Sequence, residues 1–168
     1  MSAKHPYQRV SVLIDVQNLY HSAKHLHKAK VDFKKVIDKA VGGRQLIRAI
    51  AYVVTTEGGE EEPFIKSLEK QGIEIRSKPL QIFAGGMKKA DWDVGLAIDA
   101  IKLSQSVDAI ILLTGDGDFV HLVRYLKNNS PALVEVAAFR KSSSSALVAE
   151  ADDFMDIGGD DKRWFLIK

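Results

Sequence analysis

The sequence predicts an α/β fold: a mainly parallel central sheet with helices on both faces, in a three-layer α/β/α sandwich. Short, largely apolar runs alternate with helical segments along the chain, and two of these runs lead straight into aspartate. Apolar runs of this kind are typical of strands buried on both faces, as in parallel sheets that are covered by their crossover helices. The alternation of strands and helices therefore predicts this class of fold.

The first half of the chain opens with the apolar run VSVLI, which predicts a strand that ends at Asp15. A later helix is expected to have Asp32 as its N-cap and to stop at Gly42, because aspartate accepts from free backbone N–H groups and glycine tolerates a left-handed C-cap. The alanines of LIRAIAYVV leave a helix open there, although we expect a strand. The predicted order is strand, helix, helix, strand, helix and strand, in VSVLI, NLYHSAKHLHKA, VDFKKVIDKAVGG, LIRAIAYVV, EPFIKSLEKQGI and IEIRSKPLQIF.

The second half of the chain repeats the alternation. DVGLAIDAIKLS is expected to form a helix whose apolar face holds Val94, Ala97, Ile98 and Ile101. The serines at 142–145 supply hydroxyl groups suited to an N-cap. The predicted order is helix, strand, helix, strand, short helix and a last edge strand, in DVGLAIDAIKLS, DAIILLTG, DFVHLVRYLKNN, ALVEVAAF, SSSSALVAEA and DDFMDIGG.

Length and composition narrow the classes of function. The 168 residues fit one domain, expected to span 1–168 with a core at about 8–158 and a C-terminal tail at 159–168. Because the chain has no cysteine, any metal must be held by oxygen atoms or by some of the five histidines. No apolar run approaches the roughly 18 residues of a membrane span, and no signal-peptide core is present, so we expect a cytoplasmic protein without membrane contact. The net charge of +2 does not decide the partner.

Several chemistries lack their sequence motifs. The chain has no GxxxxGK[ST] phosphate loop, no GxGxxG dinucleotide fingerprint and no GxSxG nucleophile elbow. An EF-hand beginning at Asp116 would need glycine and glutamate where the chain has His121 and Lys127. His21 and His25 are spaced for one helix face, but no HExxH pattern surrounds them, so a solvated basic helix is the favoured interpretation.

Acidic residues follow two predicted strands and precede a predicted helix. Asp15 ends the first strand, Asp116 and Asp118 follow AIILLTG, and Asp93 stands near the start of the helix after GGMKKADW. Ligands of open parallel sheets bind beyond the carboxyl ends of the strands, where these side chains would meet. Each aspartate alone could be an N-cap, but four together repel one another unless they are protonated or bridged by a cation. Because Mg²⁺ and Mn²⁺ prefer oxygen ligands, we expect these four aspartates to form a site for one of these ions.

Three neighbouring residues each have two interpretations. Asn18 could orient a ligand aspartate or a water, or be an ordinary polar residue of the first helical turn. Asp91 competes with Asp93 for one ligand position, and we favour Asp93. Asp99 points about 120° away from Asp93 around the helix, so it would lie at the margin of the site or pair with Lys102 on the surface.

The segment FRKSSSSALV could bind phosphate. Arg140 and Lys141 are cationic, and Ser144 and Ser145 stand at a predicted helix N-terminus, where N–H and hydroxyl groups favour anions. Simple capping and a flexible turn explain the serines equally well. Trp92 could stack on a base if it is exposed, although partial burial against its own helix is the more common arrangement.

Four segments resemble, in order and spacing, the motifs of the NYN domain family in its LabA-like branch, within the PIN-like nucleases: VLIDVQNLY, DWDVGLAIDAI, DAIILLTGDGDFVHLV and VEVAAFRKSSSSALVAEADDFMDI. The resemblance implies a PIN-like, Rossmann-like topology and metal-dependent cleavage of RNA by aspartates that hold Mg²⁺ or Mn²⁺. Trp92 stands where the family has a small aliphatic residue, which leaves Asp91 open as a substitute ligand. The positions that match the family motifs are Asp15, Asn18, Asp93, Asp99, Asp116 and Asp118.

The sequence therefore predicts a divalent-metal-dependent ribonuclease with RNA as its partner. The alternative is a non-catalytic RNA-binding or regulatory module that keeps the fold and the acidic pocket, and a small-molecule phosphohydrolase is a third option. The tail is apolar at Trp164, Phe165, Leu166 and Ile167, so we expect it to be partly buried. It could dock on its own domain or on a second subunit, which leaves a homodimer open.

Overall fold

The computed structural model of the chain describes residues 4–82, 88–89 and 92–168, and within them it contains every strand and helix of the predicted alternation. The strands are β1 (Arg9–Asp15), β2 (Lys30–Val31), β3 (Gln45–Thr55), β4 (Glu74–Pro79), β5 (Gln81–Ile82), β6 (Lys88–Lys89), β7 (Ala109–Leu113), β8 (Leu133–Ala138), β9 (Asp153–Asp156) and β10 (Leu166–Ile167). The helices are α1 (Val16–His27), α2 (Phe33–Val41), α3 (Glu62–Lys70), α4 (Asp93–Leu103), α5 (Val120–Asn129), α6 (Ser145–Glu150) and α7 (Lys162–Phe165). Short 3₁₀ turns lie at Gly117–Phe119 and Arg140–Ser142.

The central sheet has six strands in the order β4-β3-β1-β7-β8-β9, and every neighbouring pair is parallel. The prediction of a mainly parallel sheet is confirmed. From β1 the chain adds β3 and β4 on one side and then β7, β8 and β9 on the other, so the strand order reverses between β1 and β7. In open α/β sheets the carboxyl ends of the strands at such a reversal flank the ligand crevice.

Helices cover both faces of this sheet, which confirms the three-layer architecture. On one face, the alternate β1 residues Val12 and Ile14 pack in a core cluster with side chains of α1, α2, α3 and α7. On the other face, Leu13 packs with side chains of α4, α5 and α6. Because successive side chains of a strand point to opposite faces, the side chain of Asp15 follows Leu13 toward the α4 layer.

The predicted ends of α2 are confirmed. The Asp32 carboxylate accepts a hydrogen bond from Lys35 N at 3.2 Å, as an N-cap does. Gly42 closes the helix with φ at +61°, in the left-handed region that glycine tolerates best.

The apolar face predicted for α4 is confirmed only in part: Ala97 and Ile101 pack against the core cluster on this side of the sheet, whereas Val94 and Ile98 do not. Val94 is 72% exposed and Ile98 is 52% exposed, whereas the buried stripe consists of Leu96, Ala100 and Leu103. The helix carries apolar residues on two stripes, so periodicity alone did not decide which one faces the sheet. Polar contacts also join this helix to β3: Asp99 accepts from the Tyr52 hydroxyl, and the Trp92 indole donates to Val53 O.

The tail docks on its own domain. Phe165 is 2% exposed and belongs to the core cluster beneath α1 and α2. β10 pairs antiparallel with β2, and Asp32 N donates to Phe165 O at 2.8 Å. The expected partial burial of the tail is therefore confirmed, although Trp164 stays 60% exposed. None of the helices in the described ranges is long and apolar enough to cross a membrane.

Candidate metal centre

Three of the predicted aspartates meet at the reversal of the strand order. Asp15 ends β1, Asp116 follows β7, and Asp93 is the first residue of α4. Each offers one carboxylate oxygen, these oxygens lie within 4.8 Å of one another, and all three side chains are half-buried. Oxygen ligands on opposite sides of one Mg²⁺ ion are about 4.2 Å apart. A spacing of up to 4.8 Å is only slightly wider than this, so small side-chain shifts would let the three carboxylates share a divalent ion, which would also relieve the repulsion among them.

Asp15 serves the fold and the acidic group at once. Its Oδ1 accepts from Asn18 N at 3.3 Å, which makes it the N-cap of α1. Its Oδ2 accepts from the hydroxyl of Thr114 at 2.9 Å. Both interpretations of Asp15 given above, cap and member of an acidic site, thus describe the same side chain.

Thr114 was not singled out from the sequence, yet it connects two of the aspartates. It is fully buried, and its Oγ1 donates to Asp15 and accepts from Asp116 N at 3.2 Å. The register explains its position: Ile14 lies opposite Leu113 across β1 and β7, so the next residues of both strands are neighbours. The available signal was the hydroxyl residue that ends the AIILL strand directly before glycine.

Asn18 connects α1 to the loop after β7, which carries Asp116 and Asp118 and is called the acidic loop below. Its side-chain Oδ1 accepts from Gly115 N at 2.8 Å, while its backbone N–H donates to the capping carboxylate of Asp15. The amide therefore holds the loop after β7 beside the end of β1.

Asp118 lies at the edge of this arrangement. Its backbone N–H donates to Asp116 Oδ1 at 2.9 Å, so Asp116 caps the 3₁₀ turn at Gly117–Phe119. The Asp118 side chain is exposed and lies outside the group of three close carboxylates. The structure thus brings together Asp15, Asp93 and Asp116 and leaves Asp118 to one side; Asp91 lies outside the described residues.

Gly115 and Gly117 of the acidic loop leave space for the serines at 142–145, called the serine segment below. A Cβ on Gly115 would overlap Ser143 Oγ and lie 3.0 Å from Ser143 Cα, and a Cβ on Gly117 would lie 3.0 Å from the Cβ and Oγ of Ser144. Ser144 N also donates to Gly115 O at 2.9 Å. Neither glycine has a positive φ, so what requires glycine here is the close approach of another segment of the same chain.

The residues expected to bind phosphate lie behind this loop. Ser144 caps α6 by accepting from Leu147 N at 3.3 Å, and Ser145 is exposed. Lys141 is exposed, and the Arg140 guanidinium lies 4.7 Å from the centre of the Phe154 ring. The capping interpretation of Ser144 is confirmed, and none of the four lines the cleft described next.

The three close carboxylates line one part of a cleft of about 200 Å³. One part of its wall is polar and another part is aromatic or aliphatic. His21, interpreted above as part of a solvated helix, is exposed but lies on this wall. The lining residues are Asp15, Gln17, Asn18, His21, Asp93 and Asp116 on the polar part and Tyr52, Val54 and Trp92 on the other.

Trp92 is held rigidly at the start of α4. Its Nε1 donates to Val53 O at 3.0 Å, its ring centre lies 5.5 Å from that of Tyr52, and Lys78 Nζ lies 5.0 Å from the ring centre. A Cβ on Gly95 would lie 2.7 Å from the ring, so the indole also packs on its own helix. Trp92 is half-buried, and the more common arrangement expected for it is the one observed.

Asp99 turns toward β3 and away from Lys102. It accepts from the Tyr52 hydroxyl at 2.6 Å and from Arg76 Nε at 3.3 Å. Burial and the hydrogen bond to Asp99 raise the pKa of Tyr52, so its hydroxyl stays protonated and remains a donor. Asp99 therefore lies at the margin of the site, where it contacts the sheet instead of the other three carboxylates.

Comparison with known proteins agrees with this architecture. The chain is similar over its whole length to a protein of unknown function, VPA0982 from Vibrio parahaemolyticus RIMD 2210633, with 30% sequence identity and a TM-score of 0.86, covering 99% of this chain and 100% of that one. It is 24% identical over 127 residues to the "Low amplitude and bright protein LabA" of Synechococcus elongatus, covering 71% of this chain and 68% of LabA. The family model of the NYN domain matches residues 9–158. The chain thus belongs to the NYN domain family.

Proposed function

We propose that the protein is a divalent-metal-dependent phosphodiesterase that hydrolyses RNA. The observation that carries the proposal is the meeting of three carboxylates, from β1, α4 and the loop after β7, within 4.8 Å of one another in an open cleft. Membership of the NYN family supports RNA as the substrate, because the motifs of the chain resemble those of PIN-like nucleases. The same motifs support Mg²⁺ or Mn²⁺ as the ion.

Asp15, Asp93 and Asp116 would hold the ion, and Asp118 is a further, exposed carboxylate two residues after Asp116. A bound divalent ion would lower the pKa of an attacking water and stabilise charge on the phosphate oxygens. The chain itself supplies orientation: the Thr114 hydroxyl holds one oxygen of Asp15, and Asn18 holds the loop that carries Asp116.

Contacts to the RNA backbone are proposed on the segment that packs behind the acidic loop, outside the cleft. Arg140 and Lys141 lie on the 3₁₀ turn that leads into the serine segment, which packs against Gly115. Cations there would attract backbone phosphates of an RNA strand that extends beyond the cleft. Ser144 and Ser145, at the start of α6, are the remaining proposed contacts.

The test compares cleavage of end-labelled single-stranded RNA by the wild type, Asp116→Asn and Asp38→Asn in Mn²⁺. Asp38 is exposed on α2 in an ion pair with Lys34, so its variant is a matched charge change away from the cleft. Mutation of an outer-sphere partner of a metal site lowers metal affinity or activity about 10–100-fold. Loss of a direct ligand should therefore lower the cleavage rate by roughly 100-fold or more. Equal cleavage by wild type and Asp116→Asn would contradict the proposal. RNA binding without cleavage would favour a non-catalytic module.

A further inference from the structure

Tyr52 connects the strand beside Asp15 to the helix that begins with Asp93. It is 2% exposed and lies opposite Asp15 in the parallel register of β1 and β3. Its hydroxyl donates to Asp99 Oδ2 at 2.6 Å, and Asp99 is on α4. One buried side chain therefore spans the gap between the sheet and the helix that supplies the third close carboxylate.

Because Asp99 and Asp93 lie on the same helix, the contact of Asp99 with Tyr52 also determines the direction of the Asp93 side chain. With 100° of rotation per residue, Asp93 and Asp99 lie roughly 60° to either side of the middle of the buried stripe of α4. They are about 9 Å apart along the helix axis. Fixing Asp99 on one flank therefore fixes both the rotation of the helix and the direction in which Asp93 leaves the other flank.

Apolar residues lie on two sides of α4, so polar contacts help to fix its rotation. Val94 and Ile98 form a second apolar stripe, and they are exposed. Turning that stripe toward the sheet would expose Leu96, Ala100 and Leu103, and it would move Asp93 away from the other two carboxylates. The hydrogen bond of Trp92 to Val53 O holds the first turn of the helix in the same orientation, next to Tyr52 on β3.

We propose that Tyr52 is a positioning residue for the metal centre: by holding Asp99, it sets the rotation of α4 that brings the Asp93 carboxylate to Asp15 and Asp116. The inference rests on the proposed metal-binding function of that group. It gives Asp99 a role through Tyr52 instead of a role as a ligand. Arg76, which lies opposite Tyr52 on the edge strand β4, adds a second contact to Asp99, and its side chain is 44% exposed.

The test measures Mn²⁺ affinity by calorimetry on the whole chain without RNA. Tyr52→Phe keeps the ring and its packing but removes the hydrogen bond, and it should weaken Mn²⁺ binding roughly tenfold, as for other outer-sphere contacts. Tyr125→Phe, on the exposed face of α5, makes the same chemical change and should bind Mn²⁺ like the wild type. Wild-type affinity in a folded Tyr52→Phe protein would overturn the inference, whatever its melting temperature.

A second pair of variants tests the same contact from the helix. Asp99→Ala removes the acceptor and should weaken Mn²⁺ binding as much as Tyr52→Phe, whereas Asp99→Asn keeps an oxygen acceptor and should stay within about threefold of the wild type. The double variant Tyr52→Phe with Asp99→Ala should be no weaker than either single one, because residues of one contact are not additive. If Tyr52→Phe does not fold, the two Asp99 variants decide: equal losses for alanine and asparagine overturn the inference.

The possible failures are distinguishable. A wild type that binds no Mn²⁺ overturns both the metal centre and the role of Tyr52. A wild type that binds Mn²⁺ tightly but leaves RNA intact contradicts only the proposed ribonuclease, and the Tyr52 comparison still holds. Wild-type affinity in both Tyr52→Phe and Asp99→Ala contradicts only the positioning role.

Discussion

The Thr114 hydroxyl donates a hydrogen bond to Asp15 Oδ2 at 2.9 Å, across the boundary at which the strand order of the sheet reverses. Thr114 Oγ1 also accepts from Asp116 N, so one buried hydroxyl sets the spacing of two carboxylates that leave neighbouring strands. A hydroxyl is suited to this place because it donates to a carboxylate and accepts from an N–H at the same time.

Thr114→Val should weaken Mn²⁺ binding roughly tenfold and lower the free energy of unfolding by about 1–3 kcal/mol. Valine keeps the shape of threonine but leaves Asp116 N and one oxygen of Asp15 without this partner. Mn²⁺ calorimetry and urea denaturation in the absence of metal measure the two effects. Thr114→Ser keeps the hydroxyl and should retain most of the affinity; a serine variant as weak as the valine variant would contradict this account.

Gly115→Ala should destabilise the fold by about 1–3 kcal/mol, which is typical of overpacking. The added methyl group would meet both the side chain and the backbone of Ser143, and backbone cannot move aside as a flexible side chain does. The matched control is Gly58→Ala, where the nearest atom is the Glu60 Cγ at 3.6 Å, an ordinary contact. Urea denaturation of both variants checks the prediction, and equal midpoints would show that the loop has room to shift.

The parts of the site that could be predicted from sequence are those that local patterns determine. Asp15 and Asp116 each follow an apolar strand, so both had to reach the carboxyl edge of a parallel sheet. Whether they would be neighbours depended on the strand order, and no local pattern carries that order. The family motifs supplied this missing information by matching both aspartates at once.

The parts that could not be predicted depend on contacts between distant residues. Tyr52 and Asp99 are 47 positions apart, and no local pattern predicts the hydrogen bond that joins β3 to α4 through them. Periodicity favoured the stripe with Val94 and Ile98, because it weighs apolar side chains and not the polar partner on β3. Polar contacts of this kind position a site after the apolar pattern has determined the fold.

Lowering the pH should destabilise the protein partly through His27. Burial lowers the pKa of His27, and the nearby charges of Lys162, Lys141 and Lys168 lower it further, against an opposing effect of Asp156. The unfolded chain therefore binds the proton of this histidine at a higher pH than the folded chain does. This contribution to stability is complete above the unfolded pKa of 6.5, falls as the pH drops through it, and stops falling below the lowered pKa of the folded state.

Urea denaturation between pH 8 and pH 5 measures this effect. His27→Gln should lose less stability than the wild type over the range, and Lys162→Gln should lie between the two, because it removes the largest of the three charge effects. A His27→Gln protein with the same pH dependence as the wild type would assign the acid sensitivity to other groups.

Arg44→Met should be the most destabilising of these changes, at about 3–5 kcal/mol. Arg44 is 5% exposed and makes two hydrogen bonds, of 2.7 and 2.8 Å, to Glu135, which is 4% exposed on the central strand β8. The guanidinium also donates to the carbonyl oxygens of Val41 and Ala40, both at 2.8 Å, so it joins the end of α2 to the sheet. Methionine would leave the Glu135 carboxylate buried without its cation.

Two further variants show how much of the loss of stability in Arg44→Met comes from burial of the unpaired charge and how much from loss of the ion pair. Arg48→Met breaks an equally short bidentate pair with Glu74, but one that is 38% and 46% exposed, and should cost less than about 1 kcal/mol. The double variant Arg44→Met with Glu135→Leu replaces both charges with apolar groups and should recover most of the loss, because buried pairs gain little over well-packed apolar residues. If the double variant were as unstable as Arg44→Met, the loss would come from the broken contacts to α2 and not from the unpaired carboxylate.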